Sequence, residues 1–597
     1  MELIKSFGVL DYIVFIGMFL VSIALGILSG YLDRRHQNNE RYLMGGRKLN
    51  FIAVSVSITV SVVSTATLLG APAEMYSFGI SYMFVGLSAV MASCFVAIFF
   101  VPLIYPLKIT SITEYLERRF SKSVRYLGCV LFLMNSSFYV GTVIFGPATA
   151  LSLATGSPPW IAIIIVSVIG TLYTTIGGVK AVVWTDAFQS IVMVTGLIAV
   201  CVLGISKVGG IREVVSINSE WGRLDMDYGL SLTSRFGLFV IFTGYTNHWV
   251  AGFSVNQACS QRYCSTDTMS KGKLAVMLNG PLYAMMTCLS MLTGMVAFAY
   301  YTSRGCDPIK ANVVSNANQI MPYFVLEVLG YPGVPGIFIS SLFSASLSTL
   351  SSYINSMAAV TWEDIFKDKY RNLSYAKQTM ITKIMVIFYG LVCMAVSFLV
   401  LGVGGNLVQI SASFFGATIG PTLGLFVLGG LVPWANWKGA LIGGLSSISL
   451  SLWIMFGQVF AKLLRATLDS PVHNCWNTTG IYNSSTLSII ENLDLETTTH
   501  QTVVESQGFL HSIYSLSFGW FSLLGTISVI LIGTIVSLIT GGNDTENMDS
   551  SLLFVCLRKR YGKPAVVKTP EKELLVFSNQ SGRNDPNENE PTTNDSH

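Results

Sequence analysis

The sequence is short of charge and short of cysteine. Asp, Glu, Lys and Arg make up 11% of its 597 residues, against roughly 25% in an ordinary soluble domain. That excludes a soluble enzyme, a disordered chain and a nucleic-acid binder. The 36 basic and 32 acidic residues leave a net charge of +4, too even a balance for a phosphate-binding field. Ten cysteines are too few and too scattered for a disulfide scaffold, and no CxxC or Cys/His cluster stands at metal-ligand spacing. No nucleophile, base and orienting group sit at a catalytic spacing, so no enzymatic role is expected. What the chain has in plenty is apolar length, with 52% hydrophobic residues and a mean hydropathy of +0.59. It demands lipid.

An apolar run needs about 20 residues to cross the hydrocarbon. Thirteen runs qualify, at 8–30, 51–79, 82–104, 126–154, 160–176, 185–206, 236–253, 274–302, 336–360, 380–401, 406–431, 440–463 and 514–540. They are spans 1 to 13 below. The first lacks a small-residue cleavage site and reads as a retained span rather than a signal peptide. The connections after odd-numbered spans carry nineteen Lys and Arg residues, among them Arg34, Arg35, Arg118, Arg119 and Lys367, and the opposite side carries nine. Positive charge stays inside, which puts the N-terminus outside and the tail in the cytoplasm. The sequons at Asn477 and Asn483 fall in the longest loop, 464–513, which this topology places outside, so both are expected glycosylation sites. Cys306 and Cys475 are the only cysteines in outer loops and read either as a disulfide or as two free thiols. Residues 541–597 are polar and expected to be a disordered cytoplasmic tail.

Three spans break the rules for a helix facing only lipid. Span 2 reads SVSITVSVVSTATLLGAPAEMYSFG, rich in hydroxyls, with Gly70 and Pro72 near its centre. Pro72 suits the first turn of a new helix, so a second half is expected to start at about residue 71. The first half then leaves unpaired carbonyls around Val60 to Ser64, the oxygens a small hard cation wants. A proline kink healed by neighbouring hydroxyls is the alternative. Span 7 gathers Thr243, Gly244, Tyr245, Thr246, Asn247 and His248 at membrane depth, which points to a second interruption; His248 alone also reads as a hydrogen-bonded interior histidine. Spans 2 and 7 are five apart, and an odd offset makes spans 2–6 and 7–11 enter the membrane in opposite directions, as an inverted repeat does. Span 9 places Ser341, Ser344, Ser348, Ser352 and Asn355 on one helical stripe. The stripe either bonds neighbouring helices or, through Ser348, Thr349 and the Ala345 carbonyl, offers a neutral oxygen cage better suited to Na+ than to Ca2+ or Mg2+.

Taken together, LLGAPAEMY at 68–76, GGVKAVVWTDAFQ at 177–189, VNQACSQRY at 255–263 and GVPGIFISSLFSASLSTLSSYINSMAAVTWED at 333–364 resemble the sodium/solute symporter family. The likeness runs over roughly 8–540 and is strongest to its monocarboxylate, multivitamin and iodide branch. The resemblance implies an all-α polytopic membrane protein of about 13 transmembrane helices with a LeuT-type five-plus-five inverted repeat. Residues 1–50 would hold the outer N-terminus, first span and cytoplasmic loop. The repeats would occupy 51–206 and 236–431, and 432–540 would carry spans 12 and 13. It also implies a sodium site made of the Val60, Val63 and Ala345 carbonyls with the Ser348 and Thr349 hydroxyls. Ser64, Thr67, Ala71, Tyr139, Trp249 and Gln409 would border the substrate. Asp186 of the WTD motif would lie on the inner ion path, with a solvated helix cap as its other reading.

Span 8 and the presumed cavity hold no Lys or Arg, so an anionic substrate would be held by the bound Na+ and by the half-helix N-terminus near Pro72. The expected activity is plasma-membrane symport of Na+ with a small organic anion such as lactate, pyruvate or nicotinate. The alternatives are a vitamin, iodide or a neutral polyol or sugar as cargo, or a sodium-gated sensor or leak channel. Partners are the ion, the solute and the bilayer, and no nucleic acid.

Overall fold

The computed structural model describes residues 7–32, 39–370, 372–403, 406–461, 467–475, 509–545 and 548–561. Within a bilayer every backbone polar group must be satisfied by the chain itself. The described residues accordingly form helices and no strand, apart from one isolated bridge between Leu49 and Thr266. The asparagines Asn50, Asn256, Asn406 and Asn436, with Thr268, start helices by accepting a backbone N–H at their first turn.

Among the described residues ten helices are long and apolar enough to cross a membrane, and one bent pair makes an eleventh. One of the ten holds two of the thirteen expected spans, and the last, span 7, lies in shorter helical pieces. Spans 5 and 6 are fused in Pro159–Val208, a run of 50 residues that as a straight rod would reach about 75 Å. Gly178 divides it, with φ 60 and ψ −165, a conformation that costs glycine little and other residues much. Span 7, Leu238–Ser254, is assembled from helical pieces of 3, 5 and 9 residues. Span 9, Val334–Thr361, is the central post, with every residue from Phe338 to Thr361 buried. Spans 1, 2, 4, 5, 6 and 10 pack around it. Leu20, Ile191, Leu399, Leu531 and Ile539 are exposed on the outside, as lipid-facing side chains should be.

Span 2 is broken. Phe51–Val62 and Ala66–Phe78 meet at 62°, so the second half begins at 66 rather than near 71. The reason is Ser64, whose hydroxyl accepts the Ala66 N–H at 3.3 Å and whose carbonyl accepts from Thr67 and Leu68. That nucleates the new helix early, and a π turn over Ala66–Gly70 carries the chain into Pro72. Span 7 corrects the expectation of a second interruption: Val240, Ile241, Tyr245 and Thr246 all keep right-handed helical torsions, and only a π turn spans Ile241–Tyr245. Two of its polar side chains find partners without opening the helix. The Thr243 hydroxyl bonds back to the Phe239 carbonyl, and Asn247 donates to Ser522 at 3.0 Å and Thr526 at 3.1 Å in span 13.

The chain also stays ordered past 540. Short helices at Ser550–Leu552 and Val555–Tyr561 follow, because Leu552, Leu553 and Phe554 bury themselves at the end of span 11, where the Phe554 N–H donates to the Gly430 carbonyl at 3.1 Å. Residues 562–597, and the sequons at Asn477 and Asn483, lie outside the described residues.

Candidate functional site

A helix that stops inside the membrane leaves its last carbonyls without N–H partners. In the first half of span 2 the last one served by the backbone is Thr59, which accepts from Val63. Beyond it each carbonyl takes a hydroxyl from a neighbouring helix. Ser348 donates to Val60 at 2.9 Å, Thr349 to Ser61 at 3.1 Å and Tyr139 to Val62 at 3.3 Å. Ser348 also reaches the Ala345 carbonyl at 3.1 Å. The fold thus brings Val60, Ala345, Ser348 and Thr349 together, with Val63 at the break in extended torsions. All five are buried.

Each of these hydroxyls can turn its proton away and present a lone pair. The cluster can then wrap a dehydrated cation in neutral oxygens. Among the described residues no group of three His, Cys, Asp or Glu side chains could hold a metal, which leaves a divalent or transition ion without its usual ligands.

One turn further along the break lies a cavity that gives the centre of a water molecule about 50 Å³ to move in. Ser64, Thr67, Tyr139 and Trp249 line it; Ala71 and Gln409 do not. Ala71 is packed away one turn above Thr67. Gln409 instead accepts from Arg235 at 2.8 Å. The lining holds no Asp, Glu, Lys or Arg and is largely rings, including Tyr82, Tyr245, His248, Tyr283, Tyr353 and Phe415. Tyr245 and His248 stood in the polar stretch of span 7 that marked itself in the sequence. Tyr82, Tyr283 and Phe415 are aromatics in apolar runs and carried no such signal. Two donors of lining residues, the Tyr245 hydroxyl and the Trp249 indole N–H, are buried with no hydrogen-bond partner among the described residues, which is costly unless a solute or water answers them.

Ionised groups flank the cavity rather than enter it. On one side the buried Glu74 pairs with Arg235 at 2.5 Å, and the guanidinium also lies 4.3 Å from the Phe78 ring centre. On the other, Asp186 is fully buried, so it is not a solvated cap. It accepts from Ser57 at 2.6 Å and faces Arg262 at 3.5 Å, while Arg262 also donates to Ser57 and Ser352. Ser352 in turn bonds Ser61 at 2.7 Å, which connects Asp186 to the carbonyl cluster.

Cys306 and Cys475 are joined in a disulfide, with Cα atoms 4.7 Å apart. It fastens the segment 467–475 over the end of span 2, where the Leu468 N–H donates to Ser77 at 2.9 Å. Arg223 donates to the Asp469 carbonyl at 2.9 Å. Burial pulls its guanidinium down to about 10, and it remains charged at neutral pH.

The profile of the Sodium:solute symporter family matches residues 42–446. Human sodium-coupled monocarboxylate transporter 1 is 38% identical over 552 residues, covering 92% of this chain and 89% of that protein. The human sodium/iodide cotransporter is 33% identical over 581 residues, covering 96% and 89%. A solved structure of a Na+-coupled sialic acid symporter, substrate-bound and outward-open, superposes with a TM-score of 0.72 at 23% identity, covering 90% of this chain and all of the other. The fold is shared.

Proposed function

The chain belongs to the sodium:solute symporter family, and from that premise we propose that it imports a short monocarboxylate together with Na+. The observation that carries the reading is the shared break in span 2. Val62 and Ser64 border the cavity, while the carbonyls of Val60 and Ser61, less than a turn away, meet Ser348 and Thr349. An ion held by Val60, Val63, Ala345, Ser348 and Thr349 fixes the geometry of the segment that touches the solute, so each ligand raises the affinity of the other.

Size and chemistry select the cargo. A water molecule needs at least about 10–15 Å³ by the same measure, so the cavity of about 50 Å³ suits a small solute better than a vitamin as large as biotin or a sugar. Two unanswered donors match the two oxygens of a carboxylate. With no cationic side chain on the wall, the negative charge is balanced by Na+ and by the N-terminal end of the half-helix that begins at Ala66. Iodide has a suitable size and charge but is a poor acceptor for two directed N–H and O–H groups.

Coupling follows from alternating access. With one Na+ per monocarboxylate the two charges cancel and the Na+ concentration gradient does the concentrating, while each further Na+ moving down 100 mV adds about 2.3 kcal/mol. In this reading the protein sits in the plasma membrane with its N-terminus and the sequons Asn477 and Asn483 outside. Residues 51–206 and 236–431 form the two repeats, and Asp186 lies on the path by which the ion leaves. Labelled lactate, pyruvate, nicotinate and iodide, offered to expressing cells in Na+ and in choline, test it. Accumulation of a short monocarboxylate only in Na+ supports the reading. Uptake that persists in choline, or current without accumulation, overturns it.

A further inference from the structure

A lysine inside a membrane helix needs an explanation, and Lys383 of span 10, Tyr375–Val403, is one. Among the described residues no carboxylate pairs with it; its Nζ lies 5.6 Å from the ring centre of Tyr42. The Tyr42 hydroxyl donates to the carbonyls of Thr174 and Thr175 at 3.2 and 3.3 Å, which ties the lysine to the end of span 5. There a second cavity opens on the outer face of the bundle. It is several-fold larger than the central one, at about 270 Å³. Spans 5 and 10 wall it with Val168, Leu172, Ile176, Ile387, Leu391 and Met394.

The groove reaches its lysine by helical arithmetic, since Ile387 stands four residues, one turn, beyond Lys383. Gly390 gives it its floor. A Cβ there would stand 2.2 Å from the Thr171 hydroxyl, so only glycine lets the two helices touch at that point and diverge beside it. Two polar atoms in this wall, Ser167 Oγ and Thr171 Oγ1, are buried and have no hydrogen-bond partner.

We propose that this groove is a specific site for an anionic phospholipid, with one acyl chain lying between spans 5 and 10 and the phosphate held by Lys383. Charge complementarity selects the occupant. A cation without a carboxylate among the described residues, one helical turn from a residue lining an apolar slot, is neutralised by a lipid headgroup drawn from the adjoining leaflet, whereas a sterol would leave it unanswered. The inference needs only that spans 5 and 10 cross a bilayer. It does not rest on the transported solute.

The test uses the full-length protein in nanodiscs of phosphatidylcholine alone or with phosphatidylserine in both leaflets, read by thermal unfolding and by lipid retention in native mass spectrometry. Wild type should be stabilised by several degrees by phosphatidylserine and should retain it at least tenfold better than phosphatidylcholine. Lys383→Gln should lose that preference while melting normally in phosphatidylcholine. Leu391→Trp, which fills the slot from an exposed position without touching the lysine, should abolish retention as well. No preference in wild type, a preference that survives Lys383→Gln, or a shift produced only by added sterol would each overturn the assignment. Sodium-dependent uptake is scored separately, so failure here leaves the transport reading standing.

Discussion

Ser348 Oγ lies 2.9 Å from the Val60 carbonyl oxygen although 288 residues separate the two. The contact joins the central post of the bundle to the broken end of span 2, at the cation site proposed above. Replacing Ser348 or Thr349 by alanine removes one neutral oxygen, a loss of about 1–1.5 kcal/mol, or roughly tenfold in ion affinity. The half-saturating Na+ concentration for uptake should rise by about that factor with surface expression kept. An equal fall in expression and transport would assign the hydroxyls to folding.

Tyr245 and Trp249 make a cleaner test of the cavity. Their donors bond nothing among the described residues, so Tyr245→Phe and Trp249→Phe lose no hydrogen bond there. Thermal stability should hold in Tyr245→Phe and fall only through lost ring packing against Phe253 and Tyr283 in Trp249→Phe, while KM for the solute rises roughly fivefold for each, the value of about one hydrogen bond. Unchanged KM in both variants would mean the carboxylate does not sit against this wall.

Glu74 and Arg235 predict the reverse pattern. With both side chains buried, Glu74→Gln leaves a guanidinium without its counter-charge and should destabilise by about 3–5 kcal/mol. The double variant Glu74→Met, Arg235→Met should recover much of the loss, because it removes the stranded charge. Unfolding temperatures of the purified protein decide it, and a single variant that melts like wild type would discount the pair.

The disulfide should act as a clamp on stability rather than on ion binding. Cys306→Ser, Cys475→Ser and the double variant should lower stability alike, by about 2–4 kcal/mol, with the half-saturating Na+ concentration unchanged. A shift in that concentration would show that the segment over span 2 takes part in the transport cycle.

Composition and apolar length made the spans legible, because the bilayer punishes any unpaired backbone and leaves helix as the remaining choice. Gly70 and Pro72 announced the break in span 2, yet its position was set by Ser64, a serine among many, whose hydroxyl is the one placed to cap Ala66. The polar cluster at Thr243 to His248 looked like a second break and is not. What it lacked was visible only in space, since Asn247 spends its amide on span 13 rather than on its own backbone. The serine stripe of span 9 was readable as a stripe, but which of its hydroxyls face orphan carbonyls depends on how span 2 bends toward it. Gln409 shows the same limit, its carbonyl oxygen already claimed by Arg235, a residue 174 positions away. The rings of Tyr82, Tyr283 and Phe415 could not be told from ordinary packing until the chain was folded.

Among the described residues no Asp, Glu, Lys or Arg borders the central cavity, and that has an electrical consequence. An emptied carrier carries no acidic or strongly basic side chain of the binding wall across the field as it resets, so membrane voltage has little purchase on that return. Voltage acts instead on the cation entering its pocket, and transient currents recorded without solute should report the charge of that ion.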